Sequence, residues 1–139
     1  MKQMNANVFL DSNIIEYSYS NSEIDKQKIA RKLITESNSY ISTQVLQELS
    51  NIVTRKFKFS YQQAILAIKE CCQNNNLYVN TENTVLQACQ VADRYGFSFY
   101  DSLIIAAALE SGCTILYSED LQNGQLIDEK LTIKNPFNQ

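Results

Sequence analysis

Val8-Phe9-Leu10-Asp11-Ser12-Asn13 decides the fold: an apolar run stops at a carboxylate and two small polar residues, and a new apolar pattern follows through Ile14, Ile15 and Tyr17. A short continuous apolar run bounded by turn-forming residues predicts a strand covered on both faces, as in a parallel sheet. Ser12 and Asn13 are both N-cap residue types, so the spacing predicts a helix immediately after the strand. In open α/β sheets ligands bind just beyond the carboxyl ends of the strands, which places Asp11 at the mouth of a site.

Working outward, Ser22 to Ser37 carries Ile24, Ile29, Leu33 and Ile34 among Lys26, Lys28, Arg31 and Lys32, an amphipathic helix with a basic outer face. Tyr40-Ile41-Ser42 reads as a strand, and Thr43-Gln44 opens a helix whose Val45, Leu46, Leu49, Ile52 and Val53 share one arc, with Glu48 at its edge. Ser60 caps a helix through Ala64, Ile65, Ile68 and Cys72, and Asn74-Asn75-Asn76 stops it through the left-handed conformation that asparagine tolerates. Leu77-Tyr78-Val79 is a third strand. Glu82 to Tyr95 is a helix with Val85, Leu86, Cys89 and Ala92 inward, closed by Gly96. Phe97 to Ala108 is apolar nearly all round after its first turn, which predicts a central buried helix. Thr114 to Tyr117 is a fourth strand and Leu131-Thr132-Ile133 a weak fifth. Alternating strands and helices indicate a three-layer α/β fold: a mainly parallel sheet of four to five strands flanked by helices.

At 139 residues, with 45% hydrophobic and 19% charged residues, the chain is read as one domain over 1–139 with enough apolar surface for a core. The start Met1-Lys2-Gln3 lacks a signal-peptide core and the run Leu103 to Leu109 is too short to span a bilayer, which predicts a soluble cytoplasmic protein without a membrane partner. Four cysteines, Cys71, Cys72, Cys89 and Cys113, form no Cys-x-x-Cys pair, and the chain has no histidine. The usual zinc sites therefore lack ligands, and buried reduced thiols are the expectation. Without histidine, Ser-His and Cys-His nucleophiles are excluded, so any hydrolysis falls to carboxylates, metals or lysine. A net charge of −3 gives no global attraction to nucleic acid, and three glycines form no phosphate-cradling loop.

Four carboxylates stand at informative places: Asp11 and Asp120 after strands, Glu48 at a helix edge, and Asp101 in the first turn of the buried helix. Each has a structural reading, strongest for Asp101, where Ser98-x-x-Asp101 forms a capping box. Together, carboxylates brought within a few ångströms must protonate, pair with cations or hold a metal. Oxygen-only ligands favour Mg2+ or Mn2+, which lower the pKa of bound water and stabilise charge at a phosphoryl centre.

The order of Val8-Phe9-Leu10-Asp11-Ser12-Asn13, Gln44-Val45-Leu46-Gln47-Glu48-Leu49, Tyr100-Asp101-Ser102-Leu103-Ile104 and Leu116-Tyr117-Ser118-Glu119-Asp120 resembles the PIN-domain ribonucleases, most of all the VapC-type toxins of bacterial toxin-antitoxin pairs. The resemblance runs from about Val8 to Ile133. It implies that Asp11, Glu48, Asp101 and Asp120 form the acidic cluster that holds Mg2+ or Mn2+ and cuts RNA, with Asn13 and Ser118 as supporting polar groups. It also implies a homodimer and a cognate antitoxin whose tail enters the active-site groove. The family often has threonine where Ser118 stands, and serine keeps the hydroxyl. Asp120 has the family's spacing after that hydroxyl, with Glu119 beside it as the alternative fourth acid. Lys26, Arg31, Arg55, Lys56 and Lys58 are the candidate RNA contacts.

Other α/β readings fail on particular residues. A haloacid-dehalogenase phosphatase wants an acid where Asn13 stands, a metal-dependent adhesion motif is broken by Ile15, and receiver domains want paired acids and a late lysine. The remaining alternative is a non-catalytic PIN-like module that binds RNA or protein.

Overall fold

β1 (Asn7–Leu10) is the central rod of the sheet: Val8, Phe9 and Leu10 are buried, and β1 pairs in parallel with β2 (Asn38–Ser42) on one side and β4 (Ile115–Tyr117) on the other. The computed structural model describes residues 6–138, so both ends of the domain expected over 1–139 lie outside it. Between these strands run α1 (Ser12–Ser18), α2 (Ile24–Glu36), α3 (Thr43–Arg55), α4 (Tyr61–Asn74), β3 (Asn76–Tyr78), α5 (Glu82–Tyr95) and α6 (Phe99–Glu110), and β5 (Leu126–Ile127) and β6 (Leu131–Lys134) follow. The sheet order is β3-β2-β1-β4-β6-β5, all parallel except for the β5–β6 pair. Strand order therefore reverses between β1 and β4, the position where open α/β sheets form their crevice. With right-handed crossovers the reversal also separates α1 to α4 from α5 and α6 on opposite faces. Among the described residues no helix is long and apolar enough to cross a membrane.

The architecture is the α/β sheet that the alternating pattern predicts, with six strands rather than four to five. The additional one, β5, is two residues long and carries no periodicity to read. The buried helix is α6, where Ser102 to Ala108 are all buried. The other helices turn differently from the prediction in places. In α5 the buried residues are Thr84, Ala88 and Val91, while Val85, Leu86 and Cys89 face outward. The reason is close packing: Ala88 sits against Leu103 and Ala106 of α6, and small side chains let the two helices approach. In α4, Ala64, Ala67 and Cys71 are buried, leaving Ile65 and Cys72 exposed. Two of the four thiols are thus on the surface, not buried. In α2, Ile24 occupies the exposed first position.

The caps explain the boundaries. Gly96 adopts φ 80°, the left-handed conformation that ends α5 with its N–H on the Ala92 carbonyl. The asparagine stop of α4 works by another route, because Asn75 is extended (φ −134°), not left-handed. Its buried amide donates to the Cys71 carbonyl and accepts from Ser39, and the chain passes straight into β3.

Candidate active site

Asp11 follows β1 directly, its N–H bonded to the Tyr117 carbonyl of β4 at 3.0 Å. The residue that caps α1 is Asp11 itself rather than Ser12 or Asn13: its backbone is extended and Oδ1 accepts from the Ser12 N–H at 2.7 Å. Oδ2 accepts from the Ser118 hydroxyl at 2.8 Å, and Ser118, the residue after β4, is wholly buried. Asp11 is only 6% exposed, and burial pushes its pKa up from 3.8 to about 6. The bonds from Ser118 and Ser12 oppose that rise, whereas the negative charges of Glu48 and Asp120 add to it.

Asn13, one residue into α1, ties the third segment to this pair. Its Nδ2 donates to Asp120 Oδ2 at 3.1 Å and reaches Ser118 Oγ at 3.5 Å, while its Oδ1 accepts the Glu119 N–H at 3.2 Å. The Asp120 N–H in turn bonds Ser118 Oγ at 3.2 Å. The two neighbouring acids therefore separate: Asp120 stays on the Asp11 side, and the Glu119 carboxylate is taken by Lys26 and the Tyr17 hydroxyl, each at 2.6 Å. Burial works to raise the Glu119 carboxyl, but the Lys26 ammonium and the Tyr17 hydroxyl hold it below its ordinary value.

Glu48 projects from the half-buried rim of α3, one turn after Gln44. Gln44 is a polar residue that its spacing alone did not single out. It is buried, and its Nε2 donates to the Tyr100 carbonyl at 3.1 Å and reaches Glu48 Oε2 at 3.5 Å, joining α3 to the first turn of α6. That turn carries Asp101. The Ser98 hydroxyl accepts the Asp101 N–H at 3.3 Å, but the Asp101 carboxylate makes no return bond to Ser98, unlike the reciprocal boxes Ser60/Gln63 and Thr81/Thr84 of α4 and α5. Among the described residues the Asp101 carboxylate has no hydrogen-bond or ion-pair partner.

Glu48 and Asp120 lie close enough for their charges to act on Asp11, but the acids do not close into a cage: among the described residues no three Asp, Glu or Cys side chains adopt metal-binding spacing. Two observations nevertheless fit a divalent cation. Glu48 Oε1 is buried with no hydrogen-bond partner, an arrangement that costs free energy unless something else satisfies it. The donors are all oxygens, the set that Mg2+ and Mn2+ take. A groove of about 380 Å³ lies between α2 and the segments ending β4 and following β6, lined by Ile29, Leu33, Tyr117 and Pro136, and none of the four acids lines it.

The basic residues are partly spent on structure. Lys26 pairs with Glu119, Lys56 with Glu16, and Arg31 donates Nε to the Ser18 carbonyl at 2.9 Å. Arg55 and Lys58 are exposed and form no ion pair or side-chain hydrogen bond among the described residues.

A parallel sheet with an aspartate after its first strand and a hydroxyl-asparagine network at the switch point defines a class, and the sequence comparison agrees. The PIN domain family matches residues 8–123, so the chain belongs to that family. No curated protein is similar enough in sequence to count as a match. Among solved structures, VapC20 of Mycobacterium tuberculosis, described as a sarcin-ricin loop cleaving toxin, superposes with a TM-score of 0.66 at 18% identity, over 81% of this chain and 89% of that one. A toxin-antitoxin complex from Klebsiella pneumoniae gives 0.71 at 14% identity over 94% and 98%. VapBC-1 of nontypeable Haemophilus influenzae gives 0.65 at 22% identity over 94% and 98%. These likenesses establish a shared fold.

Proposed function

We propose that the chain is a metal-dependent endoribonuclease that hydrolyses RNA phosphodiester bonds at Asp11, Glu48, Asp101 and Asp120 and acts as the toxin of a toxin-antitoxin pair. The observation that carries this reading is the buried Asp11 carboxylate, flanked by Glu48 and Asp120, in a chain of the PIN family. Burying an acid beside two others is costly, and a bound cation offsets that cost. The sarcin-ricin loop activity of one fold neighbour and the toxin-antitoxin complexes among the others support RNA as substrate and an antitoxin as partner.

In this mechanism Asp11, Glu48, Asp101 and Asp120 supply the oxygens that hold Mg2+ or Mn2+, with Asp11 fixed by Ser118 and Ser12 and Asp120 by Asn13. Bound there, the cation lowers the pKa of attacking water and stabilises charge on the phosphoryl oxygens. Gln44 holds Glu48 toward the Asp101-bearing turn of α6. Arg55 and Lys58 are exposed and free to meet phosphates. Val85 and Leu86 on the outward face of α5 provide apolar surface for a second copy, which supports a homodimer.

Purified chain, free of antitoxin, is incubated with total RNA in Mg2+, in Mn2+ and in chelator, beside Asp11→Asn. Discrete products that need metal and vanish in the variant are expected. Binding of RNA by folded protein without cleavage under any metal would favour the non-catalytic module instead.

A further inference from the structure

We propose that Lys26, Tyr17 and Glu119 form a clamp that sets the position of the Ser118–Asp120 turn, making Glu119 a positioning residue rather than a ligand. This rests on the nuclease reading only in what the turn is positioned for. The clamp joins separate segments: Tyr17 lies in the last turn of α1, Lys26 in the first turn of α2, and Glu119 two residues after β4. The Glu119 carboxylate uses both oxygens, Oε1 for the Tyr17 hydroxyl and Oε2 for the Lys26 ammonium. Lys26 also donates to the Tyr17 oxygen at 3.3 Å and lies 4.7 Å from the Tyr17 ring centre and 5.5 Å from that of Phe137. Phe137 meets Tyr17 edge-on at 5.0 Å, so the segment after β6 also packs against the clamp.

The geometry explains why such a device serves this site. Asn13 and Tyr17 are one helical turn apart and face the same way, so α1 grips the turn twice, at the Glu119 N–H and at the Glu119 carboxylate. Between these grips the Asp120 carboxylate is held against Asn13 and its N–H against Ser118, the hydroxyl that also holds Asp11. A slack turn would move Ser118 and Asp120 together. Lys26 further neutralises the Glu119 carboxylate next to Asp120 in the turn. The pair is partly exposed, at 31% and 26%, so its contribution to global stability is small and its effect is on position.

The test uses the full chain and two readouts. In metal-free protein, Lys26→Met is expected to speed hydrogen exchange of the Glu119 and Asp120 amides about tenfold while amides of β1 and α6 keep their rates, and Lys26→Arg is expected to restore protection. In Mn2+ titrations and RNA cleavage assays, Lys26→Met and Glu119→Gln are expected to weaken Mn2+ binding severalfold and lower kcat, with KM unchanged. Unchanged exchange at Glu119 and Asp120 in folded Lys26→Met would overturn the clamp. A raised KM with unchanged kcat would also overturn it, assigning Lys26 to RNA contact. If the unsubstituted chain neither binds Mn2+ nor cuts RNA, the nuclease reading fails, and the exchange readout still decides the clamp.

Discussion

Replacing Asp11 by asparagine should stabilise the metal-free protein at neutral and alkaline pH, an inversion of the usual cost of altering a buried, hydrogen-bonded residue. Burial raises the Asp11 carboxyl from 3.8 to about 6, and at about 1.4 kcal/mol per pH unit this corresponds to about 3 kcal/mol lost by the native state when the group is ionised. Because the folded pKa exceeds the unfolded one, the native state binds more protons between pH about 4 and 6, so stability falls as pH rises through that window. The full penalty is present above about pH 7 and absent below about pH 4. Asparagine keeps an acceptor for Ser118 but brings donors that Asp11 lacks, a cost of about 1 kcal/mol. The net expectation is a gain of about 2 kcal/mol at pH 8 in chelator, reversing to a loss of about 1 kcal/mol near pH 4. Urea unfolding followed by circular dichroism at both pH values measures it. A variant destabilised equally at pH 8 and pH 4 would refute the argument, showing that hydrogen-bond geometry and not charge dominates at this position.

Asp101→Asn is expected to abolish RNA cleavage while changing stability by less than about 0.5 kcal/mol, since its carboxylate makes no capping bond; a large fall in melting temperature would restore the capping role. Gly96→Ala should destabilise by about 1 kcal/mol in thermal unfolding, because φ 80° strains any side chain although no atom crowds the position. Leu86→Asp, at a side chain 55% exposed, is expected to leave the melting temperature of dilute protein unchanged but shift light-scattering mass to that of a monomer; an unaltered mass would remove α5 from the interface.

Where local chemistry decides structure, the sequence was informative. The run Val8 to Leu10 reads as a covered strand because no polar residue interrupts it, and Ser60 and Gly96 mark helix ends through their own side chain or its absence. The face of α5 was not legible, because Val85/Leu86/Cys89 and Thr84/Ala88/Val91 are rival arcs of one helix and only the partner α6 chooses between them. The same distinction runs through the site. Asp11, Asp101 and Asp120 announce themselves by following strands or opening a helix, and Glu48 by its place at the edge of an apolar arc, whereas the separation of Glu119 from Asp120 depends on Lys26, 93 positions away in sequence, and has no local signature. Gln44 escaped notice because an amide one turn before a glutamate is common on helix surfaces; its burial and its bond to Tyr100 give it weight.

The sheet ends on both sides in short strands, β3 with three residues and β5 with two. Beyond β5 the chain turns through Asp128 and Glu129 at positive φ, and Asp128 is pinned by Arg94 and by the Tyr95 hydroxyl. Long flat edges are templates for chain-to-chain pairing, and these are too short and too tightly tethered to offer one. A protein whose core strands are as apolar as Val8 to Leu10 thereby confines its stickiest backbone to the middle of the sheet. The perimeter thus offers little template for a further strand, independent of whatever covers the apolar helix faces.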